Sequence, residues 1–142
     1  MPLVSVGCDH GGFALKQVLL PVIRELGFDI HDAGCHTPER SVYVPHALEV
    51  AQAVSEGRAQ FGILICCTGL GVSMLANRIP DVRAAVCHDF TSARMTRQHN
   101  NANILCMGGK IIGEWAALDI VKTFLTTDFL GGRYQDVLDM FP

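Results

Sequence analysis

Phe61-Gly62-Ile63-Leu64-Ile65-Cys66-Cys67-Thr68-Gly69-Leu70-Gly71-Val72-Ser73 opens as an unbroken apolar run and then turns sharply. A run of this length without polar alternation is the mark of a parallel strand covered on both faces. The residues after it are small and turn-forming, and Val72–Asn77 predicts the start of a short helix. Strand, glycine-containing turn and helix in that order is the repeating unit of an α/β domain.

The flanking sequence repeats the unit on both sides. Toward the N-terminus, Leu3–Cys8 reads as a strand broken by Asp9-His10-Gly11-Gly12. A helix follows, with Leu15, Leu19, Val22 and Leu26 on one stripe and Gly27 at its close. Phe28–Ala33 is a further strand, and a helix is expected from about His46 to Glu56. Toward the C-terminus, Ala84–Cys87 and Asn103–Met107 read as strands on either side of a helix over about Thr91–Gln98. Ala116, Ile120, Val121, Phe124 and Leu125 mark another helix, and Arg133–Phe141 a short last one. Five strands with intervening helices predict one Rossmann-like α/β domain, residues 1–142, with a parallel sheet covered on both faces.

Composition narrows the function class. The 142 residues suit one domain, and 49% hydrophobic against 18% charged residues suit a filled core. A net charge of −3 and a pI of about 6.0 give no basic footprint for nucleic acid. The N-terminal residues lack a basic stretch and a long apolar core, so no signal peptide is expected. No apolar run approaches the roughly 20 residues that span a bilayer. The six cysteines are placed within regular apolar segments rather than in a loop-rich scaffold. Free thiols in a reducing cytoplasm are therefore expected.

In a doubly wound sheet, ligands bind beyond the carboxyl ends of the strands. Asp9-His10, Cys66-Cys67-Thr68-Gly69 and Cys87-His88-Asp89 all stand at such ends. Backbone N–H groups at the turn after Cys66 can hold an oxyanion or a phosphate, and a thiol there is a potential base or nucleophile. The competing reading is a tight turn of small residues with an ordinary buried thiol. Spacing separates the catalytic options. A cysteine-dependent phosphatase loop clamps phosphate with an arginine, but the corresponding positions are Val72 (from Cys66) and Ser73 (from Cys67). Adjacent cysteines suit reversible redox chemistry poorly, and no complete set of zinc ligands is required by the spacing. A base that moves a proton remains. Asp9 and His10 are candidates for binding hydroxyls or phosphate, as is the helix end Arg97-Gln98-His99-Asn100-Asn101; taken singly, each is equally an ordinary cap.

Gly7-Cys8-Asp9-His10-Gly11-Gly12-Phe13, Ile63–Gly71 and Arg97-Gln98-His99-Asn100, in this order and spacing, resemble the type B ribose-5-phosphate isomerases, a family that includes the subunits of galactose-6-phosphate isomerase. The resemblance runs from Val4 to about Arg133. It implies a homodimer or dimer of dimers with sites shared between subunits, and metal-free, cofactor-free aldose–ketose isomerisation of a sugar phosphate through a cis-enediol. It gives Cys66 the proton transfer between C1 and C2. Thr68 and the turn amides at Gly69 and Gly71 would stabilise enediolate charge, at roughly 3 kcal/mol per donor. His99 would open the sugar ring. Asp9, His10, Cys67, Asn100, Lys110 and Arg133 fall on or beside substrate-contacting positions, with Arg133 on the phosphate.

Four departures bear on the substrate. Cys67 replaces the usual glycine of the turn, Lys110 stands where some members carry arginine, and Val137 stands where many carry a second phosphate-binding arginine. Around Tyr43 the usual Asp-Tyr-Pro has become Val42-Tyr43-Val44-Pro45. Ribose 5-phosphate is the default substrate of the resemblance. A four-carbon ketose phosphate, a hexose phosphate, an unphosphorylated sugar, or a non-catalytic sugar-phosphate-binding subunit are the alternatives. Cys66, Thr68 and His99 together in one chain argue against the inert subunit.

Overall fold

The computed structural model describes residues 1–142. Its elements are β1 (Leu3–Cys8), α1 (Phe13–Glu25), β2 (Asp29–Gly34), α2 (Val44–Ser55), β3 (Phe61–Cys66), α3 (Leu70–Ala76), β4 (Ala84–Val86), α4 (Phe90–Asn100), β5 (Ile104–Gly108), α5 (Glu114–Thr126) and α6 (Arg133–Leu138). The five strands form one parallel sheet in the order β2-β1-β3-β5-β4. Every residue of β3 is buried, as its unbroken apolar run requires of the central strand. No helix is long and apolar enough to cross a membrane.

The pleat sorts side chains between two core layers. Val4, Val6 and Cys8 of β1, Phe61, Ile63 and Ile65 of β3, and Leu105 and Met107 of β5 face Leu19 and Ile23 of α1 and Ile120, Val121 and Phe124 of α5. Leu64, Cys66, Ile104 and Cys106 face the other way, onto Ala47, Val50 and Ala51 of α2 and Val72 and Ala76 of α3. Cys8 and Cys66 thus end neighbouring strands but belong to opposite layers.

Two helical stripes differ from the sequence expectation. On α1 the fully buried positions are Lys16, Leu19 and Ile23, while Leu15, Val22 and Leu26 are only partly covered. Apolar periodicity cannot place a lysine in the core; a partner across the fold does. Lys16 Nζ donates to Asp32 Oδ1 at 2.7 Å and to the Cys35 carbonyl. Burial would raise the Asp32 carboxyl, but the Lys16 and Gly34 N–H donors outweigh it and hold the group below the usual aspartate range. On α5, Ile120, Val121, Phe124 and Leu125 are buried as expected, but Ala117 rather than Ala116 leads the stripe. The strands also differ slightly: β4 ends at Val86, one residue short of Cys87, and β5 starts at Ile104 and runs on to Gly108, one residue past Met107.

Candidate active site

The carboxyl edge of the sheet gathers most of the residues that the sequence singled out. The β3 strand delivers Cys66, 5% exposed, at its last position. The chain then reverses through Gly69, whose φ of +79° is the left-handed conformation that favours glycine. This geometry turns the Gly69 N–H back onto Cys66 Sγ at 3.1 Å. Thr68 is exposed at the rim, and its Oγ1 accepts from the Leu70 N–H at 3.3 Å. The α3 helix has only seven residues, so the directed Gly69 donor, rather than a long helix dipole, is the feature that meets the thiol.

Two further turns pack around this one. Asp9 is 6% exposed, and its Oδ1 accepts from the Gly11 N–H at 2.8 Å, which leaves Oδ2 without a partner in the chain. His10 Nδ1 lies 3.1 and 3.2 Å from the Ser41 backbone O and N, which fixes the ring against the loop after β2. The Cys67 thiol sits directly against Gly11, so this extra side chain fills the seam between the two turns. On the far side, the Gly109 N–H donates to the Cys66 carbonyl at 2.8 Å and the Lys110 N–H to the Cys67 carbonyl at 3.1 Å. The Tyr43 hydroxyl stands over Gly71, where a Cβ would come within 2.6 Å of it. In the sequence Tyr43 stands out only for its altered neighbours; its approach to the turn depends on α2 packing beside α3.

Three of the other buried thiols are poor candidates for a base. Burial pushes Cys8 up to about 12 and Cys87 up to about 11, and the wholly buried Cys106 is raised as well. Cys66 differs in having a backbone N–H aimed at its sulfur and an exposed threonine two residues away.

His99, Asn100 and Arg133 are not brought to Cys66 within one chain. The α4 helix starts at the carboxyl edge with Asp89 as its cap and runs back along its 11 residues, which at about 1.5 Å per residue puts its C-terminus ~16 Å away. His99 and Asn100 therefore lie near the amino edge, close to where β5 begins. There Arg97 locks the helix end: it is buried, donates to the carbonyls of Thr127 and Ala102 and to Asn101 Oδ1, and lies over the rings of Phe61 and Phe124. The lock presents His99, which stacks on Tyr134 with ring centroids 4.2 Å apart. Arg133 covers the same ring, with its Nη2 donating to the Tyr134 hydroxyl at 2.9 Å. Tyr134 gave no signal in the sequence, because a stack between two helices has no periodicity. A groove of about 760 Å³ also opens at this edge, between Arg83, Thr96, Asn100, Ala102, Leu138 and Phe141, and does not reach Cys66.

Two separate polar clusters, one around Cys66 and one around His99 and Arg133, carry the sequence motifs. The family model for ribose/galactose isomerases matches residues 4–141. The chain belongs to the ribose/galactose isomerase family. It is an enzyme of the isomerase class. Ribose-5-phosphate isomerase B of Escherichia coli is 41% identical over 135 residues, covering 95% of this chain and 91% of that protein. D-erythrulose-4-phosphate isomerase of Pectobacterium atrosepticum is 34% identical, covering 91% and 86%. The solved structure of Clostridium thermocellum ribose-5-phosphate isomerase B superposes with a TM-score of 0.94 at 43% identity, covering 96% of this chain and 93% of that one. The five-stranded parallel α/β fold is the fold of these isomerases.

Proposed function

We propose that this isomerase interconverts an aldose and a ketose phosphate of four or five carbons through a cis-enediol, with Cys66 moving the proton. The observation that carries the reading is the Gly69 N–H pointing at Cys66 Sγ from the turn that follows β3. The sulfur as thiolate is the base that accepts a proton from the carbon next to the carbonyl. As C2 (or C1) gives up its proton to Cys66, charge develops on the adjacent oxygen. In this scheme Thr68 and the turn amides stabilise that charge. Cys66 then returns the proton to the neighbouring carbon, while the hydroxyl proton passes from one enediol oxygen to the other, which completes the exchange of carbonyl and alcohol. Asp9 and His10 bind hydroxyls along the sugar chain, and Lys110 adds positive charge at the same rim.

His99 in this scheme opens the sugar ring, Asn100 steadies the enediolate, and Arg133 holds the phosphate. Their distance from Cys66 in the same chain supports a site completed by a second copy, in a homodimer or a dimer of dimers. Each half-site then supplies what the other lacks: the base and oxyanion donors on one side, the ring opener and phosphate ligand on the other. The proton route uses protein groups alone, so activity is expected to survive dialysis against a chelator. Loss of turnover that a divalent ion restores would replace the thiol route with metal-assisted hydride transfer.

Ribose 5-phosphate is the first substrate to test, and the four-carbon ketose phosphate has one observation in its favour. Val137 lies one helical turn beyond Arg133 on α6 and is 56% exposed, so that face offers one guanidinium fork followed by an apolar side chain. Val137→Arg is expected to raise kcat/KM for ribose 5-phosphate about tenfold, as an added contact of ~1.4 kcal/mol would. Steady-state kinetics on ribose 5-phosphate and erythrulose 4-phosphate, wild type beside variant, make the test. Efficient wild-type turnover of ribose 5-phosphate that the arginine does not improve would show Val137 to be neutral.

A further inference from the structure

We infer that His88, at the end of β4, is a positioning residue for the Cys66–Gly69 turn. The ladder between β4 and β5 pairs Ala84 with Ile104, Ala85 with Leu105 and Val86 with Cys106, and its last backbone bond runs from the Cys87 N–H to the Cys106 carbonyl at 3.1 Å. The next donor in a parallel ladder is the Gly108 N–H, whose regular acceptor would be the Cys87 carbonyl. It goes instead to the His88 ring, with Nε2 accepting at 2.9 Å. A side chain thus takes over the ladder where the backbone leaves it, and it requires Nε2 to be unprotonated and the ring proton to sit on Nδ1.

Gly108 is the residue on which the candidate turn rests. It pairs with Cys66 across β3 and β5. A Cβ on Gly108 would stand 2.7 Å from the Thr68 carbonyl carbon and 2.8 Å from its Cα, so Thr68 lies directly on this backbone. A Cβ on Gly69 would meet the Met107 carbonyl carbon at 2.8 Å and the Gly108 nitrogen at 3.1 Å. The next N–H, from Gly109, holds the Cys66 carbonyl. His88 therefore sets one side of a short stack, His88–Gly108–Thr68, whose other side is the edge where charge would develop. It touches no reacting atom on this reading and acts through Gly108. Releasing that N–H lets the β5 end shift, and displacements near 1 Å at a reacting centre can cost up to ~100-fold.

The inference rests on the Cys66 turn being the reacting site, and its test separates the two. Glutamine can set its amide oxygen where Nε2 stands, whereas asparagine reaches only the Nδ1 position. His88→Ala and His88→Asn are expected to lower kcat by roughly tenfold or more with KM changed less than about twofold, and His88→Gln to recover at least about half of kcat. In the ¹⁵N-labelled wild-type protein, a scalar coupling from the Gly108 amide nitrogen to His88 Nε2 is expected, with fast Gly108 amide exchange in His88→Ala and protection regained in His88→Gln. Wild-type kcat in all three variants, with the coupling present in the wild-type protein, would overturn the positioning role while leaving the Cys66 reading intact. Equal losses in glutamine and alanine variants, or a Gly108 amide unaffected by His88→Ala, would overturn it too. Full activity of Cys66→Ala would instead remove the reading on which it rests.

Discussion

Cys66→Ala is expected to lose at least ~100-fold in turnover while its affinity for the sugar phosphate stays within about twofold. A proton-transferring group contributes where the bond to hydrogen is breaking, so its removal acts on the transition state far more than on the bound ground state. The structure makes this a clean substitution. Cys66 sits on the α2/α3 side of the sheet among small and aliphatic side chains, and alanine fits there with the loss of one sulfur atom. The Gly69 N–H loses its acceptor but lies at the edge where the substrate oxygen is expected, so it need not stay unpaired. Steady-state kinetics give the turnover, and calorimetric titration of the inactive variant gives the affinity. Exchange of the substrate C2 proton with deuterated solvent would also fall. Near-native turnover in Cys66→Ala together with loss in Cys67→Ala would move the chemistry to the neighbouring thiol, which faces Gly11 and the Asp9 turn.

Mixing two dead variants is expected to restore activity. His99→Ala alone should abolish turnover of a ring-closed sugar phosphate and spare a four-carbon ketose phosphate that forms no stable ring, because ring opening is a separate proton transfer. When Cys66→Ala and His99→Ala chains are co-expressed with different tags, the heterodimer carries one site with both defects and one with none. By two-fold symmetry it should show about half of wild-type activity on the ring-closed substrate, a gain of tens-fold over either parent. The expectation follows from α4, which carries His99 the length of the helix away from Cys66 in its own chain. A heterodimer no more active than its parents would mean that each site is built within one chain and that His99 serves the Tyr134 stack alone.

Both predictions depend on residues that the sequence singled out, but what made them legible differs. The β3 run and its turn were readable because a parallel central strand has one requirement, burial on both faces, and the chain meets it locally from Phe61 to Cys66. The same holds for the glycine after Thr68, since only a left-handed residue returns the chain over the strand end. Asp9 and His10 were legible as a break at the end of a strand. Function itself came from the resemblance of three motifs, in order, to a known family, which no single turn would have carried.

Burial of Lys16 was not legible, because the stripe on α1 was read from apolar residues alone and the decision belongs to Asp32 and Cys35 across the fold. Tyr43 over Gly71, Tyr134 under His99 and His88 at Gly108 are likewise contacts between elements distant in sequence. The sequence by itself determined the alternation of strands and helices, the central strand and the thiol at its end, because these follow from local periodicity and turn chemistry. Only the tertiary structure decided that Cys66 and His99 stand at opposite edges. A helix returning along a parallel sheet carries its two ends to opposite edges, and that separation is a property of the packed layers.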